Sequence, residues 1–178
     1  RAIAGPGGRV RGAPSAITGL LSIRGQRADF DDWAAAGATG WSYREVLPFF
    51  KKSEHYQGGE NEWHGGSGEL HVSDLRNDHP YCEAWLQAGA EAGFAASSDF
   101  NGAQDEGLGT YQLTLKGHWR CNAAMAFLHP VRSRPNLTVQ TGVHVTRVLI
   151  DHGRASGVEM LVGEQLQAVH ADREVILS

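Results

Sequence analysis

The sequence predicts an α+β fold, with helices in the N-terminal half and an antiparallel β-meander in the C-terminal part. Three segments before residue 93 repeat apolar side chains at helical spacing, whereas residues 143–162 alternate apolar and polar side chains around a turn. The last segment, 174–177, is an apolar run of the kind found in buried strands. Because a domain rarely ends on such a strand, we expect the chain to be an incomplete domain.

Length and composition favour one domain, or most of one, with a hydrophobic core. The chain has 178 residues, of which 41% are hydrophobic, and domains of about 100–200 residues bury most of the surface that their unfolded chains expose. Its 16 basic and 20 acidic side chains are dispersed and give a net charge of −4. Because no basic stripe is present to neutralise phosphates, nucleic acid is not an expected partner.

The sequence also lacks the features of a membrane or exported protein. No apolar stretch approaches the roughly 20 residues that span a bilayer, and the first residues lack a signal-peptide core. We therefore expect a cytoplasmic protein in which Cys82 and Cys121 are free thiols. The oligomeric state stays open.

Three helices are predicted. The first covers 29–36, where apolar side chains recur at helical spacing before a glycine. The second begins at Ser42, which forms a capping box with Glu45, although Pro48 predicts a late start or a kink. The third covers 79–92 and ends before a glycine.

The segments between and after the helices are predicted as loops and strands. Residues 56–80 are rich in glycine and polar side chains, which indicates a long ordered loop, and loops of that length are usually functional or disordered. The predicted strands are 110–115, 137–140, 143–150 and 155–162, with a turn at 151–154.

A glycine cluster near the start suggests a phosphate contact, because glycines let backbone N–H groups approach an anion. Its members are Gly5, Gly7, Gly8 and Gly12. Gly7 and Gly12 have the first spacing of a P-loop, but Ala13 and Pro14 stand where Lys and Ser or Thr are needed. From spacing alone, a plain surface turn is the favoured interpretation, with a phosphate contact as the alternative.

The nine histidines do not form a recognisable metal motif. His64 and His71 share a loop with Glu60, Glu62 and Glu69, which makes this loop the best metal candidate in the sequence. Ligand sets without a known spacing are mostly coincidental. We therefore interpret the loop as solvated and predict no metal site.

Four segments, in this order, resemble the glucose-methanol-choline (GMC) family of flavin oxidoreductases. They are 8–56, which contains GRVRGAPSAITGLLSIRGQRADFDDW, then HGGSGEL at 64–70, FNGAQDEGLGTYQ at 100–112, and RCNAAMAFLHPVRSRPNLTVQTGVHVTRVL at 120–149. The likeness is to choline-dehydrogenase-like and alcohol-dehydrogenase-like members. Since it covers nearly the whole chain, it is more specific than any single motif.

The resemblance implies an enzyme that oxidises a small-molecule alcohol with FAD, by hydride transfer to the flavin while a histidine takes the hydroxyl proton. It further implies part of an α/β FAD-binding fold plus a substrate domain. Residues 1–55 would carry the flavin-contact turn and helices, 56–132 a lid loop, a helix and part of the substrate domain, and 133–178 a β-meander returning to the FAD-binding domain. The catalytic histidine would lie beyond the C-terminus, so no catalytic residue is expected here.

The resemblance also implies cofactor contacts. The strand position that meets the adenine matches Val145, and the flavin-side Asn or His position falls on Thr18. The polar loop 57–78 would lie near the substrate entrance. The flavin-contact turn falls on Gly12, Ala13, Pro14 and Ser15.

The same turn departs from the family pattern. Family members usually read Gly-Gly-Ser-Ser here, with asparagine at the place of Thr18, whereas this chain has Ala13 and Pro14. Alanine resists a positive φ, and proline has no N–H to donate. We expect these changes to weaken a flavin contact.

Three hypotheses for function follow. The leading one is a fragment of an FAD-dependent alcohol oxidoreductase, inactive alone, with choline and aliphatic primary alcohols both open as substrates. The alternative is a non-catalytic scaffold or small-ligand-binding module that has lost the cofactor, which Ala13 and Pro14 motivate. A third is a metal-dependent enzyme that uses His64 and His71.

Overall fold

The computed structural model of the chain describes residues 10–76, 79–104 and 106–177. It divides into two compact units, the first ending at Val131 and the second beginning at Arg132. The first unit contains α-helices and short strands, and the second contains a three-stranded antiparallel sheet. The α+β prediction, with a helical first part and a β-meander after it, is confirmed. The assignment of 1–55, 56–132 and 133–178 to FAD-binding and substrate regions stays a prediction.

Helix α1 spans Arg27–Ala35 and begins two residues earlier than predicted. The earlier start comes from a capping box, in which the Gln26 backbone N–H donates to Asp29 Oδ2 at 2.9 Å and the Gln26 side chain accepts from the Asp29 N–H. Beyond the helix, Gly37 adopts a φ of 104°, a conformation that glycine reaches without a Cβ clash.

Helix α2 spans Tyr43–Ser53 and confirms the predicted capping box at Ser42 and Glu45. The late start suggested by Pro48 is wrong, because the helix begins directly after Ser42 and keeps the proline in its interior. Proline at that position removes one helical hydrogen bond. The capping box and the burial of Tyr43 and Val46 stabilise the helix against that loss.

The helices build an aromatic core in the first unit. Phe30 of α1 packs against Tyr43 and Phe50 of α2, with ring centroids 6.0 and 5.7 Å apart. Arg27 lies with its guanidinium 4.4 Å from the Trp63 ring, which closes one edge of the cluster. The core and its partly buried neighbours are Phe30, Tyr43, Val46, Leu47, Phe50 and Trp63.

Short strand pairs connect distant parts of the first unit. Strand β1 (Leu21–Ser22) pairs antiparallel with β4 (Gln112–Leu113), and β2 (Glu54–Tyr56) pairs parallel with β3 (Leu70–Val72). Strand β5 (Leu115–Lys116) forms a hairpin with β6 (Trp119–Arg120). The single strand predicted at 110–115 is therefore two strands with different partners.

The remaining segments of the first unit match the sequence analysis in part. The predicted helix at 79–92 is confirmed as α3, Pro80–Glu91. Residues 57–69 form an ordered crossover between the parallel strands β2 and β3, held by backbone hydrogen bonds such as Asn61 N–H to His64 O at 3.1 Å. A short π-helix, Ala124–Leu128, follows β6.

Two sequence predictions fall partly on residues outside the described ones. Residues 77 and 78 of the loop interpreted as a lid are among these residues, as are the glycines before residue 10. The lid therefore stays a prediction.

The second unit is a meander of β7 (Val143–Asp151), β8 (Arg154–Val162) and β9 (Gln165–His170). The predicted turn between the first two is confirmed, and His152 and Gly153 both have positive φ, 47° and 79°. Two positive φ values are typical of a type I′ turn, whose twist matches that of the flanking strands.

Two strand predictions are wrong. Residues 137–140 form no strand, and Leu137 and Val139 are more than a third exposed. Residues 174–177 form no strand either, and Ile176 and Leu177 are 77% and 76% exposed. Alternating or apolar side chains are not sufficient to form a strand, because a strand also needs a partner for its backbone N–H and C=O groups. No strand in the described residues pairs with either segment.

Candidate functional site

The predicted flavin-contact turn is a one-turn 3₁₀ helix, Ala13–Ala16. It follows Gly12, whose φ is 94°. Ala13 has a φ of 47°, which costs a non-glycine residue about 1–2 kcal/mol, so the departure from glycine noted above leaves strain in the backbone. Pro14 lies in the first turn of this helix, where the missing N–H breaks no helical bond.

The turn packs closely against the segment that begins the π-helix. A Cβ on Gly12 would lie 3.0 Å from Asn122 Cγ, so only glycine fits there without a shift of Asn122. The Ser15 hydroxyl donates to the Gly12 carbonyl and accepts from the Ala123 N–H at 3.0 Å. Asn122 Oδ1 accepts from the Met125 N–H at 2.9 Å, which fixes the side chain that Gly12 approaches.

Arg120 holds the carbonyl groups of the turn. Its Nη1 donates to Thr18 O at 2.7 Å and to Ser15 O at 3.2 Å. At the far end of the segment, Leu20 also has a positive φ, 71°, and its carbonyl accepts from the Thr114 N–H at 2.9 Å. A bulky residue rarely adopts this conformation, so residues 13–20 are strained at both ends and held by their neighbours.

The exposed side of the turn carries mostly small side chains, with Ile17, which is 55% exposed, as the exception. Ala13, Pro14 and Thr18 are exposed, and Gly12 and Ser15 are partly buried on the Asn122 side. The structure thus brings five of the six predicted cofactor residues into one segment. Val145, the sixth, lies half exposed on β7 of the second unit. An open surface of small residues suits contact with the face of a planar ligand.

Behind this segment lies a buried polar network that the sequence analysis missed. His64 has no exposed surface, and its Nδ1 and Nε2 lie 2.9 Å from Glu54 Oε2 and 3.0 Å from Asp99 Oδ2. A neutral imidazole has only one N–H, so carboxylates at both nitrogens require an imidazolium that donates to each of them. His64 is therefore a cation that bridges two anions.

The pKa values of these three groups shift to favour their charged forms. Burial alone would lower the pKa of His64, but hydrogen bonds to Glu54 and Asp99 raise it overall. Burial would raise the pKa of Glu54, yet the His64 hydrogen bond and the Arg24 charge lower it. Burial would also raise the pKa of Asp99, but hydrogen bonds from Gln112 and His64 lower it.

Arg24 completes the network at Glu54. Its Nη2 donates to Glu54 Oε2 at 2.9 Å and its Nη1 to Trp63 O at 2.8 Å. The same Glu54 oxygen accepts from the Gly65 N–H at 3.0 Å. A Cβ on Gly65 would lie 1.8 Å from the Lys51 carbonyl oxygen, so only glycine allows this approach.

Asn101 connects the network to the strand that follows the turn. Its Nδ2 donates to Ser22 O at 2.8 Å and to Gln112 Oε1 at 2.7 Å, and Ser22 and Gln112 are register partners in the β1–β4 pair. Its Oδ1 accepts from the Arg24 N–H at 2.8 Å. The Gln112 Nε2 donates to Asp99 Oδ1 at 3.0 Å, which closes the network. Strand β1, which directly follows residues 12–20 in the chain, is therefore fixed by this network.

The structure does not support the metal hypothesis. Both ring nitrogens of His64 are bonded to carboxylates, and His71 stacks on His55 instead, with ring centroids 4.4 Å apart. Across residues 10–76, 79–104 and 106–177, no group of three or more His, Cys, Asp or Glu side chains is arranged to hold a metal ion. The only sequence signal for the network was the position of His64 in a polar glycine-rich loop.

No helix in the described part of the chain is long and apolar enough to cross a membrane. Cys82 and Cys121 are both free thiols, partly buried and buried respectively.

Proteins of similar sequence are known for this chain. A sequence model described as GMC oxidoreductase matches residues 1–178. Oxygen-dependent choline dehydrogenase from Rhizobium johnstonii is 42% identical over the whole chain, and that from Brucella ovis is 39% identical; the chain covers 32% of each.

Solved structures show the same fold. Pyridoxine 4-oxidase from Mesorbium loti matches 93% of the chain with a TM-score of 0.86 and 30% identity, over 33% of its own length. An FAD-dependent oxidoreductase from Chaetomium thermophilum matches 90% of the chain with a TM-score of 0.83 and 26% identity, over 30% of its length. The chain thus spans about a third of the length of the relatives it matches, and it is part of a longer protein.

Proposed function

Because the chain belongs to the GMC oxidoreductase family, we propose that it is part of an FAD-dependent enzyme that oxidises an alcohol and that residues 12–18 contact the flavin. The observation that carries this proposal is the exposed turn with mostly small side chains, fixed by Arg120 and by strand β1. The choline dehydrogenases and FAD-dependent oxidoreductase among its relatives support the choice of cofactor and reaction.

The residues of the turn fit a flavin ring. The Ser15 and Thr18 carbonyls accept from Arg120, and the Pro14 carbonyl accepts from the Ile17 N–H at 2.9 Å. The side chains of Ala13 and Pro14, which are both exposed, are apolar. An apolar surface without bulky side chains can lie flat against an aromatic ring system. Bound FAD supplies the hydride-accepting centre, which no amino-acid side chain provides.

The residues of this chain would orient the cofactor and substrate. Pro14 has no N–H to donate, so its side chain would contact the ring by van der Waals packing. Arg120 and Ser15 keep the turn in one conformation, and the Arg24–Glu54–His64–Asp99 network keeps strand β1 in place. We assign no proton acceptor for the alcohol to this chain. The polar loop 57–78 would border the substrate entrance.

Ala13 and Pro14 also favour a second candidate function, a scaffold or small-ligand-binding module of the same family without FAD. The positive φ of Ala13 and the missing N–H of Pro14 both weaken the turn as a cofactor contact. In that case the longer protein would have the same fold and no redox activity.

Flavin retention separates the two functions. The longer protein is purified, and its absorbance spectrum is recorded before and after choline or a series of aliphatic primary alcohols is added without oxygen. We expect bound FAD that is bleached by at least one alcohol, and we expect the 178-residue chain alone to retain no FAD and to be inactive. Absence of flavin from the longer protein after reconstitution with excess FAD would support the non-catalytic function.

A further inference from the structure

The first unit contains a cavity lined by histidines that includes no residue of the flavin-contact turn. Its volume is about 570 Å³, which is within the usual range for small-molecule sites of about 300–1,000 Å³. His55 on β2, His71 on β3 and His118 in the β5–β6 hairpin turn line it, together with Asp74 and Arg76.

Two of these histidines are held face to face by the sheet. His55 and His71 are register partners in the parallel β2–β3 pair, and their rings stack with centroids 4.4 Å apart and planes inclined by 29°. Two stacked imidazolium rings repel each other. Burial, the Lys116 charge and His55 lower the pKa of His71, and Glu69 opposes them. The lowered pKa of His71 therefore disfavours its protonation until the pH falls or an anion compensates the charge.

The fixed charges around the cavity balance when the histidines are neutral. Arg76 and Lys116 are the cations, and Asp74 and Glu69 are the carboxylates. Asp74 accepts from the Tyr56 hydroxyl at 2.9 and 3.1 Å; burial and this carboxylate raise the pKa of Tyr56 to about 12, so the hydroxyl keeps its proton. Each proton taken up by a lining histidine then gives the cavity a positive surplus.

We propose that this cavity binds a small organic anion that carries a phosphate or carboxylate group, and that protonation of His71 strengthens the binding. The sheet holds both rings in place before the ligand arrives, so little ordering entropy is lost on binding. An anion between Arg76 and the two rings would offset the positive charge that opposes protonation of His71. The proposal is independent of the flavin contact.

Sulfate is the probe for this test, because it stays a dianion throughout the relevant pH range. Its affinity for the longer protein is measured by calorimetry at about pH 5.5 and about pH 8. Binding linked to the uptake of one proton changes up to about tenfold per pH unit, so we expect at least tenfold tighter binding at the lower pH. His71→Gln should weaken sulfate binding and reduce its pH dependence, and His55→Gln should weaken the binding by removing the ring that stacks on His71. The matched control is His144→Gln, an exposed histidine on β7.

A second readout needs no variant. Histidine ring signals followed by NMR should show the pKa of His71 rising when sulfate is added. Equal affinity at both pH values, or an unchanged His71 titration, would overturn the proposal. Methyl phosphate and acetate distinguish the two ligand groups. If a variant with both His55→Gln and His71→Gln binds both compounds as tightly as the wild type does, the proposal is also contradicted.

Discussion

The buried network around His64 and the exposed turn at residues 12–18 are built in opposite ways. In the network, each charged group has an opposite charge and several hydrogen bonds, and no buried side-chain nitrogen or oxygen in the described residues lacks a partner. In the turn, the backbone is strained and Ala13 and Pro14 are exposed. Strand β1 joins them through Asn101 and Ser22. The network therefore supplies the rigidity, and the turn supplies the accessible surface.

The largest expected effect comes from removing the central cation of the network. His64→Ala removes the cation between Glu54, which is buried and keeps its Arg24 partner, and Asp99, whose side chain is 29% exposed. Breaking a buried pair costs about 3–5 kcal/mol, and with this remaining compensation we expect a loss of about 3 kcal/mol. Denaturant unfolding of the longer protein measures the loss. His170→Ala, at an exposed position on β9, is the control and should change stability by less than about 0.5 kcal/mol. Similar losses in both variants would contradict a special role for His64.

A smaller loss is expected from Gly65→Ala, which adds one methyl group inside the network. Its Cβ would lie 1.8 Å from the Lys51 carbonyl oxygen, so the backbone must move and the Gly65 N–H must leave Glu54. Such overpacking costs about 1–3 kcal/mol. Gly19→Ala is the matched control, because no atom lies within 4 Å of its added Cβ. The melting temperature of Gly65→Ala should be clearly lower than that of Gly19→Ala. Equal melting temperatures would show that the backbone around Gly65 can move away from the Lys51 carbonyl at little cost.

A change of pH weakens the network without removing an atom. The pKa of His64 is raised above its ordinary 6.5, so its contribution to stability is complete below that pH and is lost as the pH rises through the raised value. The pKa of Glu54 and Asp99 is lowered below 4.5 and 3.8, so their contributions are complete above those values and are lost as the pH falls. The network should therefore stabilise the protein most between about pH 4.5 and pH 6.5.

The pH profile of the free energy of unfolding tests this with His64→Gln. Glutamine does not titrate, so the decline above pH 6.5 should be reduced in the variant relative to the wild type. If the two profiles run parallel at high pH, another group causes the decline.

The smallest effect is expected in the turn and has the opposite sign. Ala13→Gly relieves the positive φ of 47° and should stabilise the protein by about 0.5–1 kcal/mol, with slower loss of FAD on dilution. Ala16→Gly, at the end of the same 3₁₀ turn, has no positive φ to relieve and should destabilise by a similar amount. If both variants lose stability, the strain at Ala13 is not significant.

Features that depend on residues close together in the sequence could be predicted, whereas the buried network around His64 could not. The capping box at Ser42 and Glu45 and the turn at His152 and Gly153 each involve side chains or φ values within a few residues. In contrast, Arg24 and Asn101 are 77 residues apart and come together only through the fold. The missed start of α1 shows the same limit on a small scale, since a glutamine at the N-cap is an uncommon signal.

By itself, the sequence determined the α+β class, the helices, the β-hairpin of the second unit and membership in the GMC oxidoreductase family. These follow from local periodicity, caps and turns, and from residue order along the chain. Only the tertiary structure decided that His64 is a buried cation, that His55 stacks on His71, and that residues 137–140 and 174–177 form no strand. The reason is that burial, charge pairing and strand pairing depend on partners that the chain brings together only when it folds.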